Sequence, residues 1–276
     1  MNQTEAMQER IRSSIIDFHT HVFPDKVAEK AVQSISDYYG LPMRGGGTVA
    51  GLFASGEPFQ VQRYVIHATA TRPDQVRGIN DFLAETCALD DRLIGFGSLH
   101  PHLEDLEGEF ARFPALGFRG LKLHPDFQDF AIDDPAAMPI YALAQGRLPI
   151  LMHMGDEHRD GSTPQRLGVI LDRFPDLVLI AAHLGGYLMW DESLRLLAGR
   201  KLYLDTSSSL EFLEPHKAVE IIRKHGTDRV LFGTDYPMWM HQDELERFFR
   251  LELTGEEREQ ILWKNAARLL ELEVGS

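Results

Sequence analysis

Eight short apolar runs, spread over the whole chain and separated by amphipathic stretches, constrain this sequence more than any other feature. They occupy residues 15–21, 63–67, 93–99, 118–124, 149–153, 178–183, 202–206 and 230–235. Several are almost continuously apolar, as in Val178-Leu179-Ile180-Ala181-Ala182. That is the pattern of strands covered on both faces in a parallel sheet. The stretches between them read as helices. Residues 164–174 carry Leu167, Ile170, Leu171 and Phe174 at helical spacing, and 75–89 and 257–270 read the same way. Asp134-Pro135 and Glu214-Pro215 look like helix starts with proline in the first turn. Eight strands alternating with helices predict an α/β fold, a single (β/α)8 TIM barrel. A length of 276 residues suits one such domain over 1–276. Residues 1–14 read as a polar extension without the apolar core of a secretory signal. The longest break in the alternation, 40–59, contains Gly45-Gly46-Gly47. It reads as a surface excursion or as a mobile flap over the barrel mouth.

Charge and cysteine usage narrow the partners. Lys and Arg number 28 against 42 Asp and Glu, a net charge of −14. This argues against nucleic acid and anionic membranes, which are polyanions. A small anionic ligand needs only a local basic spot and stays open. Cys87 is the sole cysteine, so no internal disulfide forms and a reducing compartment fits. The most apolar stretch, 177–190, is interrupted by His183 and two glycines and is too short to span a bilayer. The expected setting is the cytosol.

In a barrel of this kind, chemistry gathers where the strands end. His19 and His21 close the first run two residues apart, so they project the same way along a strand. His153 closes the fifth run, His183 the sixth and Asp235 the eighth. Any one of these could be a hydrogen-bonded core histidine or a turn-capping aspartate. Five at one end of one barrel point instead to a metal centre. Three imidazoles and a carboxylate suit Zn²⁺ or another first-row divalent ion. Lys122 and His124 share a face at the end of the fourth run. His67 and His100 end the second and third runs, as pocket lining or as rim hydrogen bonds. Arg159 lies in the charged segment 156–160 after His153, a solvated loop or an anion contact. Trp239 reads as packing for the last loop.

Taken together, Asp17-Phe18-His19-Thr20-His21, Gly120-Leu121-Lys122-Leu123-His124-Pro125, His153-Met154-Gly155, His183-Leu184-Gly185-Gly186 and Gly233-Thr234-Asp235-Tyr236-Pro237 make a chain-long pattern. It resembles the amidohydrolase superfamily, in the branch that also contains aminocarboxymuconate-semialdehyde decarboxylase-like enzymes. The order and spacing of the motifs are specific for the superfamily, not for the reaction. The resemblance implies that His19, His21, His153 and Asp235 hold one divalent ion, with Zn²⁺ the first expectation. It places His183 beside the ion as a catalytic or substrate-polarising residue.

The function this predicts is a metal-dependent hydrolase of a small-molecule amide, ester or lactone. Asp235 would be the general base toward a metal-activated water. The alternative is a metal-dependent non-oxidative decarboxylase of an unsaturated or aromatic acid. Enzymes of that kind usually look longer, which weighs against it. A third reading, a barrel kept as a binding scaffold, is opposed by the filled ligand positions. Lys122 keeps three roles open: a carboxylated bridge to a second ion, as in binuclear members; a contact to a substrate carboxylate; or a buried ion pair. The expected substrate contacts are Lys122, His124 and Arg159. Barrels of this type commonly form homodimers, and no self-complementary patch is readable in the sequence.

Overall fold

A computed structural model describes residues 14–272. The polar extension expected over 1–14 lies outside them, apart from Ser14. Eight strands run β1 (Ile15–His21), β2 (Val61–His67), β3 (Leu93–Ser98), β4 (Gly120–Leu123), β5 (Ile150–Met152), β6 (Leu179–Ala181), β7 (Tyr203–Asp205) and β8 (Val230–Leu231). All neighbours are parallel and follow chain order. Backbone bonds from Phe18 N to Phe232 O (2.9 Å), Asp235 N to His19 O (2.8 Å) and His21 N to Tyr236 O (2.6 Å) bring the last strand back to the first. The sheet is thus nearly closed into a barrel with helices around it, the expected (β/α)8 architecture.

The outer helices are α1 (Asp25–Tyr39), α2 (Val49–Gly56), α3 (Val76–Cys87), α4 (Leu106–Arg112), α5 (Met138–Ala144), α6 (Pro164–Arg173), α7 (Trp190–Leu196), α8 (Pro215–His225) and α9 (His241–Phe248). In α6 the Thr163 side chain caps Arg166 N, proline sits in the first turn, and Leu167 and Ile170 turn inward. The single helix expected over 257–270 is instead α10 (Gly255–Glu259), a π turn (Gln260–Lys264) and α11 (Asn265–Leu269). The widened turn lets Ile261 O accept Phe232 N at 3.0 Å, which ties the helix to the strand below. No described helix is long and apolar enough to cross a membrane.

Strand alternation sorts the core into two layers. Ile16, Phe18, Val65, Ile94, Phe96, Leu151, Ile180 and Leu231 fill the barrel interior. Ile15, Tyr64, Ile66, Leu121, Leu123, Ile150, Leu179 and Val230 belong to the larger cluster that packs the helices. The first strand breaks the alternation where it matters. Its pairing with β2 shifts by one residue between Asp17 and Thr20. Such a bulge re-aims the side chains beyond it. Phe18 stays in the apolar interior, while His19 and His21 face the barrel end.

Segment 40–59 is neither a plain excursion nor a free flap. It contains α2, and Arg44 N and Gly45 N donate to Pro237 O at 3.0 and 2.9 Å. A Cβ on Gly45 would stand 2.4 Å from the Tyr236 ring. Only glycine permits that approach of the loop to the end of the eighth strand.

Candidate functional site

The C-terminal strand ends bring a dense group of titratable side chains together. His19 Nε2 and His21 Nε2 each lie 3.3 Å from Asp235 Oδ1. Lys122 Nζ stands 3.1 Å from His19 Nε2. Across the opening, His183 Nε2 is 3.1 Å from His153 Nδ1. His183, Ser208 and Asp235 all have left-handed backbone, with φ of 60°, 48° and 61°. Each such non-glycine residue costs of order 1–3 kcal/mol, and such strain concentrates at functional sites.

Hydrogen bonds fix which nitrogens are free. His19 Nδ1 donates to Asp205 Oδ2 at 2.8 Å, which leaves Nε2 as the lone pair facing Asp235. His183 Nδ1 donates to Ser207 O at 2.9 Å, which leaves its Nε2 bare. His153 Nε2 donates to Gly155 O at 2.8 Å, which leaves its Nδ1 bare. With both rings neutral, two nitrogen lone pairs would face each other at 3.1 Å. That contact needs a shared proton or a cation. A divalent ion held by His153 Nδ1 takes up one of the two lone pairs, so the donor set fits a metal. Around the other pair, the ligand atoms of His19, His21 and His67 lie within 4.8 Å of one another.

Burial supports the neutral, metal-ready form. It pushes the His21 pKa down to about 4 despite the neighbouring Asp235. It also holds His67, His124 and His153 well below the ordinary histidine range, with nearby cationic groups adding to the shift. Asp235 is held in its charged form instead. Burial alone would raise its carboxyl, but His19, His21 and His183 outweigh that and hold it well below the usual range. Burial pushes Lys122 down to about 8, with Asp235 and Asp205 opposing.

A cavity of about 590 Å³ opens above this group, lined by His21, His124, His153, Arg159 and Asp235 among others. Its walls are largely apolar and aromatic: Phe23, Ile35, Tyr38, Tyr39, Met43 and Phe127. Much of the wall comes from one face of α1. Tyr38 Oη donates to both Asp156 oxygens at 3.0 and 2.9 Å, which ties α1 to the loop after β5.

The expected substrate contacts take different places. His124 lines the cavity, stacked on His153 at 3.7 Å and on Phe127 at 4.0 Å. Arg159 stands at the mouth, half exposed, with Nη1 2.6 Å from Asp129. Lys122 is fully buried beneath, outside the cavity lining, and addresses His19. His100 is buried outside the lining. Trp239 reaches the site indirectly: its Nε1 donates to Ser208 Oγ at 3.2 Å, and Ser208 Oγ donates to Asp235 Oδ2 at 2.5 Å.

Asp205 and the Ser207-Ser208 pair went unread in the sequence. Asp205 accepts from His19 Nδ1, from His183 N at 3.1 Å and from Ser207 N at 3.0 Å. It orients the His19 imidazole directly and fixes the backbone of His183 and Ser207. Burial alone would raise its carboxyl, but the charge of His19 and its hydrogen bond hold it below the usual range. The rule that flagged Asp235, a carboxylate closing a strand run, also marks Tyr203-Leu204-Asp205-Thr206.

Comparison with known proteins agrees with the fold. Part of the chain is 29% identical, over 125 residues, to the decarboxylase orsB of Emericella nidulans; the match spans 37% of each chain. The fold is similar to 5-carboxyvanillate decarboxylase LigW from Sphingomonas paucimobilis, with a TM-score of 0.73 at 18% identity, covering 94% of this chain and 99% of that one. It is also similar to a dihydroxybenzoic acid decarboxylase from Polaromonas sp. JS666, solved with manganese and 2-nitroresorcinol. That match has a TM-score of 0.73 at 19% identity and covers 95% and 98%. The two solved decarboxylases are matched over almost their full length, the orsB relative over about a third of its own. The amidohydrolase family model (Amidohydro_2) matches residues 16–272, and the chain belongs to that family.

Proposed function

We propose that this amidohydrolase family member is a metal-dependent, non-oxidative decarboxylase of a small aromatic acid. The observation that carries the reading is the aromatic-walled cavity opening directly onto Asp235, His21 and His153. The cavity is large enough to take one substituted ring, with its carboxylate toward the strand ends. The decarboxylases among its relatives lend support and put this reading ahead of the hydrolysis that the sequence favours first.

In this reading His19, His21, His153 and Asp235 hold one divalent ion. A mixed nitrogen and oxygen set suits Zn²⁺ and Mn²⁺ alike. The ion would supply positive charge that binds the substrate carboxylate and stabilises the electrons developing on the ring. The chain's residues do the rest. His124 presents its ring edge, and Phe127 and Tyr39 present apolar lining, to the bound ring, and Arg159 draws an acid to the mouth. The α1 wall excludes water from the bound ring. Asp235 is the carboxylate that reaches both the cavity and the histidines; it is ionised at rest and, on taking a proton from solvent, holds it at a carboxyl oxygen as a strong acid. Transfer to the ring carbon bearing the carboxylate lets the C–C electrons return to the ring as CO₂ leaves. The sum is an aryl carboxylate plus one proton giving the arene plus CO₂.

A second reading is hydrolysis of an ester, lactone or amide. What favours it is the depressed proton affinity of Asp235, which suits a general base. A panel of ortho-hydroxylated benzoates and of aryl esters and lactones, offered to metal-loaded protein, separates the two. Headspace CO₂ with the matching arene supports decarboxylation. Turnover confined to the esters or lactones would refute it.

A further inference from the structure

Among the described residues, His67 is the strand-end histidine with both ring nitrogens buried and unpartnered. It closes β2, is fully buried, and neither ring nitrogen has a hydrogen-bond partner. A neutral imidazole carries one donor and one acceptor, and buried polar atoms are almost always satisfied. Here both are left over in the most polar part of the barrel. The β1–β2 register sets His67 directly opposite His21, so both side chains leave adjoining strands at one level. The His67 ring stands edge-on to His21 at 4.3 Å and to His19 at 4.9 Å. The ligand atoms of the three histidines lie within 4.8 Å of one another. Lys122 Nζ is turned to His19 and claims neither nitrogen.

We propose that His67 is a further ligand of the metal ion, so that β1 and β2 together present a three-imidazole grip. The proposal rests on the metal site described above and adds to it. A neutral nitrogen donor in place of water makes the site softer. The chain should therefore favour zinc and cobalt over manganese more strongly than the four expected ligands alone would. An ion bound there also meets the His67 lone pair that the protein leaves unpaired.

The test uses the full chain and its His67→Ala and His67→Phe variants; phenylalanine fills the space without a lone pair. Affinities for Zn²⁺ and Mn²⁺ are measured by competition with a chromophoric chelator. The visible spectrum of the Co²⁺-loaded protein reports ligand number. The expected result is one ion per wild-type chain, and in both variants a fall in Zn²⁺ affinity of about 10-fold or more, on the scale of lost metal-site contacts. Mn²⁺ affinity should fall less, and the Co²⁺ spectrum should change. Unaltered Zn²⁺ affinity and an unaltered Co²⁺ spectrum in variants that unfold cooperatively would overturn the proposal and leave the metal site standing. A wild-type chain that binds no divalent ion would overturn both. Should either variant fail to fold, the crystal structure of zinc-loaded wild type decides. A His67 nitrogen about 2.0–2.1 Å from the ion supports the proposal; a His67 bonded only to protein or water refutes it.

Discussion

Replacing Asp205 by asparagine tests how this site is held. The carboxylate serves four donors at once: His19 Nδ1 through Oδ2, and His183 N, Ser207 N and Ser207 Oγ through Oδ1. An asparagine side chain has one oxygen and one amide NH₂ in the same space. If the oxygen keeps the three donors at Oδ1, the NH₂ faces His19 Nδ1. His19 must then move its proton to Nε2, where the ligand lone pair is needed. If the oxygen keeps His19 instead, two buried backbone N–H groups lose their acceptor, at about 1–3 kcal/mol each. The first arrangement costs the fold less, so it should dominate. The expected result is a fall in metal affinity of about 10- to 100-fold, the range for groups that orient metal-binding histidines. That is about 1.4–2.7 kcal/mol. Zn²⁺ competition titrations at neutral pH measure the affinity, and ¹⁵N NMR of the metal-free protein reads which His19 nitrogen carries the proton. Wild-type affinity within twofold, with Nδ1 still protonated, would refute the tautomer argument.

Three further outcomes follow from the same geometry. Asp235→Asn should cut turnover by about 10²- to 10⁴-fold, the usual weight of a proton-transfer group, while metal content by elemental analysis falls much less; equal losses would make Asp235 a ligand only. Lys122→Ala should leave one ion per chain, as in wild type, because Lys122 addresses His19; two ions in wild type falling to one would instead mean a carboxylated-lysine bridge. His225, far from the site, accepts from Gly199 N at 3.3 Å and is held down to about 4, first by burial and then by Arg229. The unfolded chain binds this proton from pH 6.5 downward and the folded chain does not, so the contribution is whole above pH 6.5 and is lost as pH falls toward 4. Urea titrations across that window should show a flatter pH dependence in His225→Gln, by up to about 3 kcal/mol, and an unchanged slope would count against the assignment.

The fold was legible because each apolar run is long enough to fill a buried strand and each gap long enough for a helix. All eight runs became strands, and the His19-Thr20-His21 grip falls at the end of the first. What the sequence could not show was local. The bulge between Asp17 and Thr20 turns both histidines inward, and strict alternation would not have allowed both Phe18 and His19 to face the barrel interior. The helix face over the cavity was hidden for a similar reason. Val27, Ala31 and Ile35 recur at helical spacing, but no spacing tells that they roof a site rather than a core. Lys122 was placed on the right strand, but its aim at His19 depends on the barrel's curvature. Asp205 was overlooked because the residues that follow it, Thr206 to Ser209, carry no metal signal of their own. The π turn at Gln260–Lys264 answers to the Phe232 amide below it, a partner about thirty residues away in sequence.

The most direct test of the central claim is turnover of a ¹³C-carboxyl ortho-hydroxybenzoate by metal-loaded protein in H₂¹⁸O/D₂O. Mass spectrometry is run on both gas and arene, with His19→Ala and chelator-treated protein alongside. The account predicts ¹³CO₂ and arene in equal amounts, one solvent deuteron at the carbon that lost the carboxylate, no ¹⁸O in the arene, and no product in either control. Equal turnover in the chelator-treated protein, or ¹⁸O-labelled acid from an ester with no ¹³CO₂ from any hydroxybenzoate, would contradict it.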